Sequence, residues 1–345
     1  MVAQLDREYV RLGVGRMMRR LTSYALFEGR PHTTRGQWFN PVVFGLLRGL
    51  RALPGQPRVR SPIFITGLGR SGTTVLGLLF SLHDEVGFLN EPKAIWTLIE
   101  PRHDVTCDYT TGAAVFRLDP KAISDDTRET AHRLFARYLR LVGAKRVVDK
   151  YPELIFRVDY VLSLFPDARI IFITRNGIDA CRSIALWSDR KGQADSSGVE
   201  DWWGRNDCKW KTLWQEFVLR DTRFEPLRAL GPDGLDHSNR AAVEWIVTME
   251  EGIEQIRRHP EQVYRIRYED LVLDPDPVLS PLLDWCHLSR DPAVYRYAAS
   301  QLFSRPVAAM PAILPALEQP FRETMAALGY GDFLPGGEGL RAGCA

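Results

Sequence analysis

The 345-residue chain lacks an apolar run of about 18 residues, and charges interrupt its start where a secretory leader needs an unbroken apolar stretch. The sequence therefore reads as a soluble, cytoplasmic protein. Its cysteines, Cys107, Cys181, Cys208, Cys286 and Cys344, are few, odd in number and widely spaced. None of the short paired spacings of zinc sites or redox couples occurs, so reduced thiols and no metal are expected. Internal repeats and low-complexity tracts are also missing. Lys plus Arg (45) nearly balances Asp plus Glu (43), which gives no reason to expect nucleic acid as a partner.

The charge is unevenly placed, however. Residues 1–60 hold eleven arginines and no lysine against Asp6, Glu8 and Glu28. This basic N-terminal helical segment suits a helix pair packed on the main domain, and it leaves peripheral membrane contact open. With 45% hydrophobic residues the rest can bury a large core. Residues 61–300 read as one α/β domain with an insertion near 188–238, and 301–345 as a C-terminal segment packed on it.

The alternation of elements sets the fold class. Pro62-Ile63-Phe64-Ile65-Thr66 is a short apolar strand closed by Gly67, and Val75, Leu76, Leu78, Leu79 and Leu82 follow as a buried helix. Helices near 127–142, 153–164, from 177 and over 239–258 alternate with strands at 86–89, 147–148, 170–173 and 263–266. That order predicts an α/β fold of three layers, a parallel sheet with flanking helices. Residues 188–205, rich in Gly, Ser and Asp, read as an exposed loop.

Gly67-Leu68-Gly69-Arg70-Ser71-Gly72-Thr73-Thr74 joins the first strand to its helix, where backbone N–H groups and the helix dipole can hold a phosphate. Thr73 stands where a nucleoside-triphosphate loop needs lysine, and the cation sits instead at Arg70. Farther on, the strand 170–174 ends in Arg175 rather than in a magnesium-binding acid, and Ser183 follows eight residues later. The pair can form a second anion site.

Arg70-Ser71-Gly72-Thr73-Thr74, with Arg175 and Ser183 and the stretch Tyr268-Glu269-Asp270-Leu271, resembles the sulfotransferase family over about residues 62–290, and the arginine form of its loop is similar to that of bacterial, carbohydrate and tyrosylprotein members. The resemblance implies a phosphate-loop-like fold and 3′-phosphoadenosine 5′-phosphosulfate (PAPS) as co-substrate. It gives Gly69 through Thr74 the 5′-phosphosulfate and Arg175 with Ser183 the 3′-phosphate. It also implies Glu91, 21 residues beyond Arg70, as general base, and Lys150 with Arg70 as the cations that stabilise the transition state. His83 and His103 remain rival bases. Trp202 and Trp203, beside the Gly/Ser-rich segment, are candidate acceptor-side residues, as is His103. The acceptor is expected to be a hydroxylated small molecule, lipid or carbohydrate. Two other readings compete: an ATP-dependent small-molecule kinase with a degenerate loop, and a non-catalytic module that binds adenosine bisphosphate.

Overall fold

The computed structural model describes residues 3–31, 36–55, 57–110, 114–195, 198–303 and 309–334. Five strands, β1 (Ile63–Gly67), β2 (Val86–Asn90), β3 (Arg146–Lys150), β4 (Arg169–Thr174) and, after the small sheet below, β8 (Val263–Arg267), form a parallel sheet in the order β2-β3-β1-β4-β8. Every neighbouring pair is parallel. The apolar runs are continuous because both faces are covered. Phe64, Ile170 and Phe172 enter one core, while Ile63, Ile65, Ile171 and Ile173 enter the other. The expected three-layer architecture is therefore present.

The helices, in chain order, are α1 (Arg7–Arg11), α2 (Val14–Leu26), α3 (Asn40–Ala52), α4 (Thr73–Ser81), α5 (Lys93–Ile99), α6 (Asp125–Val142), α7 (Val158–Leu164), α8 (Gly177–Lys191), α9 (Cys208–Leu213), α10 (Glu225–Arg228), α11 (His237–Arg258), α12 (Tyr268–Leu273), α13 (Pro275–Trp285), α14 (Pro292–Gln301) and α15 (Pro315–Ala327). Local chemistry sets several ends. Ser124 caps α6 by accepting the Thr127 N–H at 3.1 Å, and Gly143 closes the same helix at φ 64°. Asn176 caps α8 through the Asp179 N–H at 2.9 Å, which fixes the turn that carries Arg175.

The segment 188–205, expected as a loop, instead contains a three-stranded antiparallel sheet: β5 (Gln193–Asp195), β6 (Gly198–Asp201) and β7 (Gly204–Arg205). Strands of two to four residues are too short to display an alternating pattern, so their pairing is invisible in the sequence. The cysteine expectation also requires correction. Cys107 and Cys208, 101 residues apart in sequence, come to a Cα separation of 6.3 Å and form a disulfide. Cys181 and Cys286 are free and buried. Cys344 and the end of the C-terminal segment lie outside the described residues. Among the described residues no helix is long and apolar enough to cross a membrane.

Two arginines of the basic N-terminus, Arg19 and Arg20, turn inward. Arg19 donates to the carbonyls of Asp84 (2.7 Å) and Val86 (3.2 Å), tying α2 to the start of β2. Arg20, 2% exposed, pairs with Glu28, whose Oε1 also accepts the Asn90 N–H at 2.8 Å at the far end of that strand. Charges buried in this way are stable only as a pair. Glu28→Ala should therefore cost about 3–5 kcal/mol in urea unfolding, since it strands the Arg20 guanidinium. Glu8→Ala, which removes the partner of the exposed Arg11, should change stability by less than about 1 kcal/mol.

Candidate active site

The carboxyl ends of the strands gather the candidate residues, as an open parallel sheet dictates. The loop 67–74 leaves β1, Arg175 follows β4, Tyr268 follows β8, Glu91 follows β2 and Lys150 ends β3.

The loop is shaped by backbone geometry and close packing. Arg70 has φ 72° and Gly72 φ 92°, and a Cβ at Gly72 would meet the Tyr268 ring at 2.2 Å. Glycine is required there on both counts. Gly72 directly precedes α4, so the free N–H groups of that helix face the space beside the loop. Arg70 Nε donates to Ser183 Oγ at 3.1 Å, and Arg175 donates to the Arg70 carbonyl at 2.8 Å. The two anion-binding elements inferred from sequence are thus in direct contact. Burial, and then repulsion from Arg175, lowers the Arg70 pKa. An anion between the two guanidinium groups would relieve that repulsion. Among the described residues Ser71 Oγ is fully buried and has no hydrogen-bond partner, and the Arg175 Nε is likewise unpaired.

A cavity of ≈ 940 Å³ opens here. Arg70, Thr73, Thr74, Arg175 and Ser183 line it, together with Arg182, Trp187 and Arg190 from α8. Arg182 and Arg190 were not singled out as ligand contacts, although positions 179, 182, 183, 186, 187 and 190 make a regular helical stripe that could have revealed them. Glu269 braces the site from behind, its Oε1 accepting both the Asn176 backbone N–H (2.9 Å) and its side-chain amide (2.8 Å).

Glu91 and Lys150 meet through the sheet. Asn90 pairs in register with Lys150, and the Glu91 N–H donates to the Lys150 carbonyl at 2.7 Å. At φ 50°, an unusual conformation for a glutamate, the Glu91 side chain turns onto the Lys150 ammonium and forms an ion pair. Burial pushes the Glu91 carboxyl up, but Lys150, Lys93 and Lys209 outweigh it and hold the pKa below the ordinary 4.5. The carboxylate is therefore ionised at neutral pH.

A second cavity of ≈ 120 Å³ adjoins Glu91 and shares Trp187 with the first. One wall is Trp202. Its ring presses on Gly69, where a Cβ would lie 2.4 Å away, and its Nε1 donates to Glu244 at 2.6 Å. Lys209 sits with Nζ 4.5 Å from the Trp202 ring centroid and pairs with Glu244 at 2.5 Å. Lys93 pairs with Asp108 at 2.7 Å and donates to Thr106 at 2.6 Å. Burial pushes the pKa of both lysines down, but the carboxylates beside them, Glu244 for Lys209 and Asp108 for Lys93, outweigh it and raise their pKa.

Three candidates lie elsewhere. Trp203 is fully buried, stacks on His237 and donates to its Nδ1 at 2.7 Å, so it is core rather than cavity wall. His103 is fully buried between Tyr151 (2.9 Å) and Thr97 (3.0 Å) and lines neither cavity. Burial, Arg157 and Lys93 push its pKa well below 6.5. His83 is also buried, contacting the Ser289 carbonyl at 2.9 Å and the Glu85 N–H at 3.2 Å, which makes it a brace after α4.

Comparison with known proteins covers the same segment. Residues 62–231 match the model of the sulfotransferase family. Nodulation protein NoeE of Sinorhizobium fredii is 31% identical over 121 residues, 33% of this chain and 28% of that protein. A protein-tyrosine sulfotransferase of Drosophila melanogaster is 28% identical over 128 residues, 35% of this chain and 24% of that protein. The matched segment thus spans less than a third of either relative. Among solved structures, the sulfotransferase domain from the curacin biosynthetic pathway is similar at 17% identity and a TM-score of 0.49, covering 79% of this chain and 99% of that one. The matched residues 62–231, just under half of the chain, include the glycine loop, Glu91, Lys150, Arg175 and Ser183, and over them the chain is similar to the sulfotransferase family.

Proposed function

We propose that the chain moves a sulfuryl group from PAPS to a hydroxyl acceptor. The observation that carries this reading is the contact of two unlike cavities. The larger, with four arginines against one aspartate, fits a multiply charged adenosine bisphosphate, and the smaller places a carboxylate beside it. Gly69 through Thr74 and the start of α4 would hold the 5′-phosphosulfate, to which the unpaired Ser71 hydroxyl can donate. Arg175 and Ser183 would take the 3′-phosphate.

In this mechanism PAPS supplies the sulfuryl group. Glu91 takes the proton of the acceptor hydroxyl as the new oxygen–sulfur bond forms in line with the one that breaks. Lys150, released from Glu91, and Arg70 neutralise the charge that grows on the departing oxygen. The chain's own cations fill this role, and we propose that no metal is needed. The acceptor is a hydroxylated small molecule, lipid or carbohydrate that enters past Trp202.

Adenosine 3′,5′-bisphosphate should raise the melting temperature more than AMP does at equal concentration, because only it reaches Arg175 and Ser183. Arg175→Ala should remove about 1.5–3 kcal/mol of that preference. Equal shifts for the two ligands would eliminate the 3′-phosphate site.

Glu91→Gln keeps shape but cannot accept a proton, so kcat should fall by about two to four orders of magnitude while bisphosphate affinity stays within about twofold. The pH profile separates the bases. A base acts as its deprotonated form, and a pKa held below 4.5 keeps Glu91 ionised well into acid. We expect kcat/KM to be flat from neutral pH to about 5, whereas an ordinary histidine base would produce an acid limb near pH ~6.5.

A further inference from the structure

The Cys107–Cys208 bridge lies outside the donor cavity and has no part in the mechanism above. Its position is informative. Cys107 sits between Thr106 and Asp108, and Cys208 directly precedes Lys209. All three neighbours line the smaller cavity. The disulfide therefore joins two chain segments that both line that cavity.

One wall begins helix α9, in which Cys208 and Lys209 lie, and the other has no regular structure. Residues 104–110 contain no helix or strand and fold around the Asp104 carboxylate, which accepts N–H groups from Asp108 (3.1 Å), Tyr109 (2.7 Å) and Thr110 (2.9 Å). Cys107 has φ 56°, and across the bridge Asn206 and Asp207 have φ 52° and 62°. Asparagine and aspartate adopt this left-handed region readily, and Cys107 is the unusual one of the three. The walls also touch through the Arg205 N–H, 3.1 Å from the Thr106 carbonyl, and through Gly204, where a Cβ would meet the Thr106 Cα at 2.9 Å. One hydrogen bond and a packed glycine are weak fasteners at a cavity edge.

We propose that the Cys107–Cys208 disulfide positions the acceptor wall, so that acceptor affinity follows the redox state of this bridge while donor binding does not. The statement rests on reading the smaller cavity as the acceptor pocket. The oxidised bridge holds Thr106 and Asp108 on the Lys93 ammonium and Lys209 against the Trp202 ring, so the acceptor meets pre-set groups. A dithiol reductant donates two electrons, the S–S bond breaks, Cys107 and Cys208 end as thiols, and the reductant becomes a disulfide. The freed wall must then be ordered at each binding event. The loop 67–74 and Arg175 belong to neither bridged segment and keep their geometry.

The test uses the full chain, oxidised in air or treated with a dithiol, with the bridge assigned by non-reducing peptide mapping. Hydrogen exchange followed by mass spectrometry should show faster exchange in 104–110 and 204–210 after reduction, with 67–74 unchanged. Acceptor KM should rise by about threefold to tenfold, the cost of ordering one or two long side chains. Adenosine bisphosphate affinity should stay within about twofold. The Cys107→Ser, Cys208→Ser double variant should match the reduced chain with or without dithiol, and the reduced wild-type chain decides the matter if that variant does not fold. Absence of the bridge in the oxidised chain, or unchanged exchange in 104–110 after proven reduction, overturns the proposal. Failure of both redox forms to turn over any acceptor would overturn the sulfotransfer reading instead, and the exchange data would still decide whether the bridge positions the wall.

Discussion

The ion pair of Glu91 with Lys150 is the constraint around which the rest of the site is arranged. Two parallel strands in register bring their ends level, and the turn after Asn90 leaves Glu91 at φ 50° with its carboxylate on the neighbouring strand's ammonium. Lys150 is 3% exposed at the side chain and Glu91 36%, so the carboxylate keeps an open side while the ammonium behind it is enclosed. That asymmetry suits a carboxylate that must meet an incoming molecule. β2 is also the edge strand of the sheet, and an edge strand left alone would give poor control of such a pair. The N-terminal residues, together with Tyr138 of α6, supply the control. Arg19 binds carbonyls at one end of the strand, Glu28 takes the Asn90 N–H at the other, and Tyr138 Oη donates to Phe88 O at 3.0 Å between them. The basic segment is therefore part of the site's foundation.

Charge separates the two cavities. In the larger one four arginines stand against one aspartate, and burial, then repulsion from Arg175, lowers the Arg70 pKa, a repulsion that an arriving anion would relieve. In the smaller one each lysine already has its carboxylate, and five carboxylates line the pocket against those two lysines. A neutral hydroxyl compound can enter such a pocket without displacing a counter-ion. Trp202 stands at the divide, with its ring on Gly69 of the loop and its edge to Trp187 at 5.5 Å. One aromatic side chain thus packs on the loop and on Trp187, which lines both cavities.

Much of this was legible in the sequence, for a physical reason that also explains the misses. The glycine loop, Arg175 and Glu91 follow strands, and strand ends are marked locally by apolar runs that stop at glycine or a charge. Ser183 follows from helical spacing. Trp203 and His103 could not be placed because an aromatic or histidine in an irregular segment has no periodicity to reveal its face, and both are buried by residues distant in sequence. Lys93 and Lys209 escaped notice for the same reason, since their carboxylate partners lie 15 and 35 residues away. The disulfide was missed because 101 residues separate its halves and only the folded chain brings them together. β5 to β7 are too short to carry a pattern.

The central claim is that two cavities exchange a sulfuryl group through Glu91 and Lys150. It is tested most directly by a single-turnover experiment with donor labelled in the sulfuryl group. The chain is loaded with labelled PAPS in the presence of a chelator and mixed with a panel of sugars, phenols and lipid alcohols. The account predicts that the label appears on the oxygen of at least one acceptor, with one adenosine 3′,5′-bisphosphate released for each sulfuryl moved. Label that stays on the donor with every acceptor, or that leaves only as inorganic sulfate whichever acceptor is present, would contradict it.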